Sequence, residues 1–386
     1  MGNLTPWKQG GRYKKIFLKG EIIMRKLALL LGSLLVVASA SAKEVVPAPV
    51  VVEEAPVQVI EKEVIVYRDK EEGFRPNGNV DLQYRWYGET EGQGDKKEKR
   101  EDGWNEGVNN HTRLQLSGLI NMTEKQQLQY RIRNWNDVDR SNEYSSPSKE
   151  GTETRLRYFY NHGNLGDSKV NFTSRVQYRD KNSGTQDVEY MARFNFAEYM
   201  FNNDYVKTTN FVLAPRYAYV WGENNADYDN QLGLDLYSMT ELPWGFSFEL
   251  NVYTTQHFFG KGMEIEKRKG TEDKNLTLSV EAYLYYTANL YTNGNVSVDF
   301  NFEGGYDTYD WSKEKEYDKE TNKYGEDTTY QLYALPTVQV NYQATPSVVV
   351  YAAAGAEYRN WAVTAENEAS HWRWQPTVFA GFKTTF

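Results

Sequence analysis

Arginine recurs at alternate positions along the first half of this chain, and that spacing is where its chemistry lies. Arg85, Arg113, Arg131, Arg133, Arg155, Arg157, Arg175, Arg193 and Arg216 each have at least one apolar neighbour. In an extended strand a period of two sends alternate residues to opposite faces. The arginines therefore share one face of seven successive strands. Arginine keeps its charge at any physiological pH and presents a rigid fork of donors to oxyanions. In the second half, Asp235, Glu249, Glu281, Asp299 and Glu303 hold the same kind of position. The final strand returns to base with Arg373 and Lys383; the exceptions are Asp81, Glu189, and Glu357 beside Arg359. If these strands close on themselves, a basic wall faces an acidic one across an enclosed space. Low-dielectric surroundings focus the transverse field between such walls, and solutes with dipoles orient in it. The bland alternative is a set of ion pairs that brace a filled interior. A lining this polar favours a water-filled pore.

Covalent chemistry finds little support. His111, His162, His257 and His371 lie on separate segments without metal-ligand spacing. Ser117 and His111 could form a Ser–His pair by count only. No glycine-rich phosphate loop occurs, since Gly304-Gly305 lies inside a strand. The chain has no cysteine, which removes disulfides, iron–sulfur clusters and thiolate zinc sites. We expect no enzyme activity, cofactor or metal.

The elements that must position the arginines are strands. The C-terminus, WRWQPTVFAGFKTTF, puts Trp372, Trp374, Val378, Ala380, Phe382 and Phe386 on one face. Arg373, Gln375, Thr377, Gly381, Lys383 and Thr385 lie on the other, with Phe379 breaking the polar series. The same alternation appears at Val80, Leu82, Tyr84 and Trp86 against Asp81, Gln83 and Arg85, and in a dozen further segments. Apolar residues outward and polar residues inward is the pattern of an outer-membrane barrel. Runs of about 9–11 tilted residues are long enough to cross the membrane. Short connections at 121–126, 163–168, 243–245, 288–294 and 343–346, with a longer one at 197–209, alternate with long or charged ones at 88–109, 135–152, 257–273, 307–327 and 362–370, with shorter ones at 180–186 and 222–228. This predicts an all-β fold: a transmembrane up-and-down antiparallel β-barrel of about fourteen strands, or sixteen if 197–209 or 257–273 hides a hairpin. The competing soluble β-sandwich would not carry so aromatic an exterior. Phe382 and the terminal Phe386 read as a signal to the outer-membrane assembly machinery.

Composition agrees. The 386 residues include 30 Tyr, 17 Phe and 10 Trp, yet mean hydropathy is only -0.74. Helical membrane proteins need spans of about 20 mostly apolar residues. The one long apolar run, Leu27 to Ala42, follows Met24-Arg25-Lys26 and ends in Ala40-Ser41-Ala42. That is the pattern of a cleaved signal peptide, too short for a spanning helix. We read 24–42 as the signal peptide, 1–23 as an upstream extension outside the native start, 43–77 as a Pro/Val/Glu-rich periplasmic leader and 78–386 as the barrel. Cleavage after residue 42 removes seven basic residues and one acid, so the net charge of -9 becomes -15. Such a balance argues against nucleic acid as a partner.

The segments RPNGNVDLQYRWYGE (75–89), SVDFNFEGGYD (297–307), LYALPTVQVNYQAT (332–345), YAAAGAEYRNWAVTAE (351–366) and the C-terminal run together resemble the fusobacterial major outer-membrane porin of FomA type. The resemblance covers Met24 to Phe386, strong in strands and weak in loops. It implies a homotrimeric, voltage-responsive general porin for small hydrophilic solutes and ions, with a secondary role in adhesion. The alternative is an adhesin or anchor whose external loops, such as the charged 307–327, bind other cells or host proteins on a closed barrel.

Overall fold

The computed structural model describes residues 73–91, 110–138, 150–222, 227–260, 263–319, 322–325, 332–363 and 369–386. Fourteen strands form one closed antiparallel barrel. They are β1 (Asn77–Tyr87), β2 (His111–Asn121), β3 (Gln126–Asp137), β4 (Gly151–Asn164), β5 (Asn171–Asp180), β6 (Gln186–Asn195) and β7 (Lys207–Trp221). The second half comprises β8 (Tyr228–Glu241), β9 (Phe246–Phe259), β10 (Lys274–Asn293), β11 (Val296–Ser312), β12 (Leu332–Thr345), β13 (Val348–Val363) and β14 (Ala369–Thr385). Each strand pairs with its sequence neighbours. β14 pairs with β1 in the register Leu82↔Phe382 and Arg85↔Phe379. The terminal residue completes the seam: Gly78 N–H donates to the Phe386 carbonyl at 3.0 Å, and Phe386 N–H to the Gly78 carbonyl at 3.1 Å.

The two places where an extra hairpin was conceivable do not enter the barrel. Residues 197–209 hold a single 3-10 turn, Ala197–Tyr199, and an isolated bridge between Asn202 and Lys207. The 257–273 connection contains a two-residue ladder, Ile265–Glu266 against Thr271–Glu272, which stands apart from the main sheet. Fourteen is therefore the count.

Alternation is plain in the burial. Arg113 and Gln115 are buried while Leu114 between them is exposed, and Ile132 is exposed between buried Arg131 and Arg133. Leu156, Val176, Leu213, Leu234, Phe248, Val338, Val350 and Val378 continue the exposed apolar belt around the ring. Aromatic side chains gather at both margins. Phe172 stacks on His162 at 4.3 Å and on Phe194 at 5.1 Å near the short turns. Tyr358 meets Trp374 at 4.8 Å near the long loops. An apolar band between aromatic girdles is what lipid requires of a barrel, and closure leaves no unpaired edge in the hydrocarbon. The chain is a multi-pass outer-membrane β-barrel.

β10 and β11 run further than the alternation suggests, because a bulge resets their register. Val280 pairs with Tyr309 but Ala282 with Tyr306, so the residues after the bulge change faces. Gly305 makes this possible. Its φ is 149°, and a Cβ there would lie 2.2 Å from the Ala282 carbonyl oxygen.

Candidate functional site

The barrel interior is the candidate site. Its side chains come from the face of each strand opposite the apolar belt. On β1 to β6 this face carries Arg85, Arg113, Arg131, Arg133, Arg155, Arg157, Arg175 and Arg193, with Arg216 following on β7. Register brings like charges directly opposite one another: Arg85↔Arg113, Arg131↔Arg155 and Arg155↔Arg179. Cross-strand pairs of one sign are destabilising unless something intervenes.

Part of the compensation is acidic, and Glu153 and Asp187 join the expected exception Glu189. Arg131 Nη2 donates to Glu153 Oε1 at 2.6 Å. Arg175 pairs with Glu189, and Arg179 with Asp187 at 2.7 Å. Glu153 and Asp187 were not among the residues singled out, although each shares the parity of its neighbouring arginines. Buried charges must be paired or solvated, and side chains this buried are met by carboxylates within the basic arc. Other arginines lean on neutral acceptors. Arg113 Nη2 donates to Gln83 at 2.7 Å, Arg133 Nε to Gln115 at 2.7 Å and Arg157 Nε to Gln177 at 2.7 Å.

The carboxylates of the inner face have a feature that residue type alone concealed. Five phenols each donate to a carboxylate: Tyr237 to Asp235 (3.0 Å), Tyr253 to Glu281 (3.1 Å), Tyr285 to Glu249 (2.9 Å), Tyr333 to Glu303 (2.7 Å) and Tyr351 to Asp81 (2.6 Å). Tyrosine reads as a lipid-facing residue in an apolar count, but position parity puts these on the inner face. Asp299 instead accepts from the Asn289 and Asn341 amides at 2.8 and 2.6 Å. Phe379, which interrupts the polar series of β14, also points inward. The Arg85 guanidinium lies 5.1 Å from its ring and 4.7 Å from that of Tyr87, a cation–π sandwich.

Two arginines mark the seams between the arcs. Arg216 donates through Nε to Asp235 at 3.0 and 3.2 Å and lies 3.9 Å from Glu189. Arg359 pairs with Glu357 at 2.6 Å and covers the Tyr333 ring at 4.9 Å. Arg373 stands opposite Arg359, and Lys383 opposite Asp81.

The structure does not bring together Ser117 and His111. Six residues along β2 separate them by about 20 Å, and His111 stacks on Tyr87 at 4.5 Å. A Ser–His hydrogen bond does form between His162 and Ser174, at 2.9 Å, on the outer face. The β4–β5 ladder has a register shift there between Asn161 and Gly163, and the Gly163 N–H donates to Asn161 Oδ1 at 2.9 Å. Among the described residues no group of His, Asp and Glu is arranged to hold a metal. At the long-loop end, part of the charged 307–327 segment is tied to the 257–273 loop by Lys267–Glu314 (2.6 Å) and Lys319–Glu266 (3.1 Å).

No family model matches the chain, and no curated protein matches it. Solved structures do. The chain is similar to the outer membrane channel DcaP of Acinetobacter baumannii at 9% identity and a TM-score of 0.34, covering 81% of this chain and 96% of that one. It is similar to Salmonella typhi OmpF in complex with daunomycin at 11% identity and a TM-score of 0.33, covering 81% and 97%. A bacterial polysaccharide outer membrane secretin matches at 8% identity and a TM-score of 0.37, over 80% and 97%. Values this low carry no argument about solutes or assembly.

Proposed function

We propose that the chain is an outer-membrane channel through which small hydrophilic solutes and ions diffuse passively. The observation that carries this reading is the inversion of polarity: an apolar outer belt encloses an inner face of arginines on β1 to β7 and carboxylates on β8 to β11. A polar lining inside a closed sheet supports a solvated path rather than a packed core. The finer assignment to a FomA-type general porin rests on the quoted segments. Within it the chain assembles as a homotrimer, and Phe382 and Phe386 serve as the C-terminal assembly signal.

Planar-bilayer recording tests the proposal. Non-saturating chloride conductance supports it, and absence of any conductance removes it. Reversing charge at Arg131 and Arg133 is expected to raise cation preference; an unchanged reversal potential contradicts the role given to the basic arc.

One observation favours a second reading, a barrel braced shut with adhesive external loops. Arg131–Glu153, Arg175–Glu189 and Arg216–Asp235 are buried pairs that would rigidify a filled interior. Loop deletions that abolish cell–cell binding in a non-conducting protein would select it.

A further inference from the structure

The basic arc is not evenly neutralised. Around Glu153 to Asp187 to Glu189 the arginines have acids, but towards β1 and β2 they largely do not. Arg85, Arg113, Arg131 and Arg155 lie on four successive strands and are each at most 7% exposed. Their carboxylates are Glu153, bound to Arg131, and Asp81, held by the Tyr351 hydroxyl at 2.6 Å. Arg85 donates to the neutral Thr377 hydroxyl at 2.8 Å and Arg113 to the neutral Gln83 amide at 2.7 Å. Arg155 makes no ion pair among the described residues. Among the described residues these four arginines share two carboxylates, and Arg133 beside them on β3 adds a further cation.

The donors tell the same story atom by atom. Arg113 Nε and Nη1, and Arg131 Nε and Nη1, are buried without a hydrogen-bond partner. Arg113 and Arg131 lie on the same inner face of adjacent strands, Arg113 opposite Trp135 and Arg131 opposite Ser117. A buried arginine with two open N–H groups is expensive, because it loses hydration and gains nothing in return. Water would satisfy the donors but not the charge. An oxyanion satisfies both, since the guanidinium fork matches the oxygen spacing of phosphate.

We propose that Arg113 and Arg131, with Arg85 and Arg155 beside them, form a binding site for a doubly charged tetrahedral oxyanion on the inner face of β1 to β4. The site gives the channel a saturable step for phosphate-class solutes in place of free diffusion, and it rests on the channel reading for solute access. Chloride cannot use it in the same way, as it offers no pair of oxygens to the fork.

The test uses the whole chain folded in detergent, with inorganic phosphate as probe and chloride as control at equal ionic strength. Phosphate is expected to raise the thermal unfolding midpoint saturably, with sulfate doing the same. In planar bilayers phosphate should reduce chloride conductance with a similar half-saturation. Arg113→Lys and Arg131→Lys keep the charge but lose the fork, and each should weaken half-saturation at least tenfold. A midpoint indifferent to phosphate overturns the proposal, as does equal saturation in both lysine variants. Phosphate stabilisation in a protein that never conducts chloride upholds the site and removes the channel. Conduction without any phosphate effect does the reverse.

Discussion

Asp235→Asn at the seam between the arcs should destabilise the barrel by about 3 kcal/mol. Asp235 and Arg216 are 2% and 10% exposed, and they meet at 3.0 Å. Removing one partner of a buried pair costs about 3–5 kcal/mol, because the other charge stays behind unpaired. The lower end applies here, since Arg216 keeps Glu189 at 3.9 Å. Asparagine also preserves an acceptor for Arg216 and for the Tyr237 hydroxyl, so the loss is of charge rather than of shape. Arg216→Gln strands Asp235 beside its single phenol and should cost a similar amount. The double variant restores a neutral contact, and neutral hydrogen bonds are worth about 1 kcal/mol net. A coupling of about 2 kcal/mol or more is therefore expected in the double-mutant cycle. Urea unfolding of the detergent-folded barrel, followed by tryptophan fluorescence, measures all four corners. Additivity within about 0.5 kcal/mol would mean independent sites. In that case the interior charges face each other through solvent, and the paired seam described above is wrong.

Further outcomes follow from other parts of the barrel. Leu234→Arg, on an exposed position of the apolar belt, should cost about 2–4 kcal/mol at the bilayer midplane; vesicle folding yields equal to those of Leu234→Ala would refute the lipid-facing assignment. Gly305→Ala must force a Cβ to within 2.2 Å of the Ala282 carbonyl oxygen at φ 149°, a strain of about 1–3 kcal/mol. A heat-modified band appearing at the wild-type temperature on gels would show that the bulge does not need glycine. Deleting Phe386 removes both hydrogen bonds to Gly78 and should lower the folded fraction in cells several-fold. An unchanged folded fraction would remove its role in closure and assembly.

Much of this barrel was legible in the residues. A period of two fixes which side chains share a face, and apolar type then says which face meets lipid. That logic places Leu114, Ile132 and Val378 outside and Arg113, Arg131 and Thr377 inside, and the near-regular loop spacing yields fourteen strands. The same logic failed where type and position disagree. Tyr237, Tyr253, Tyr285, Tyr333 and Tyr351 belong with the carboxylates, because parity outranks hydropathy once a strand's register is fixed. The β11 bulge between Tyr306 and Tyr309 broke parity itself.

Who pairs with whom is a property of the closed sheet alone. Sequence separates Arg216 from Asp235 by 19 residues and Tyr351 from Asp81 by 270, and no local pattern connects either pair. Register sets these partners, and register follows from turn lengths, bulges and the β1–β14 seam acting together. The chain alone determined that charges line the interior. Only tertiary closure decided which of them are neutralised and which arginines retain open donors, because pairing inside a low-dielectric ring depends on distances of a few ångströms between strands that meet only when the ring is complete.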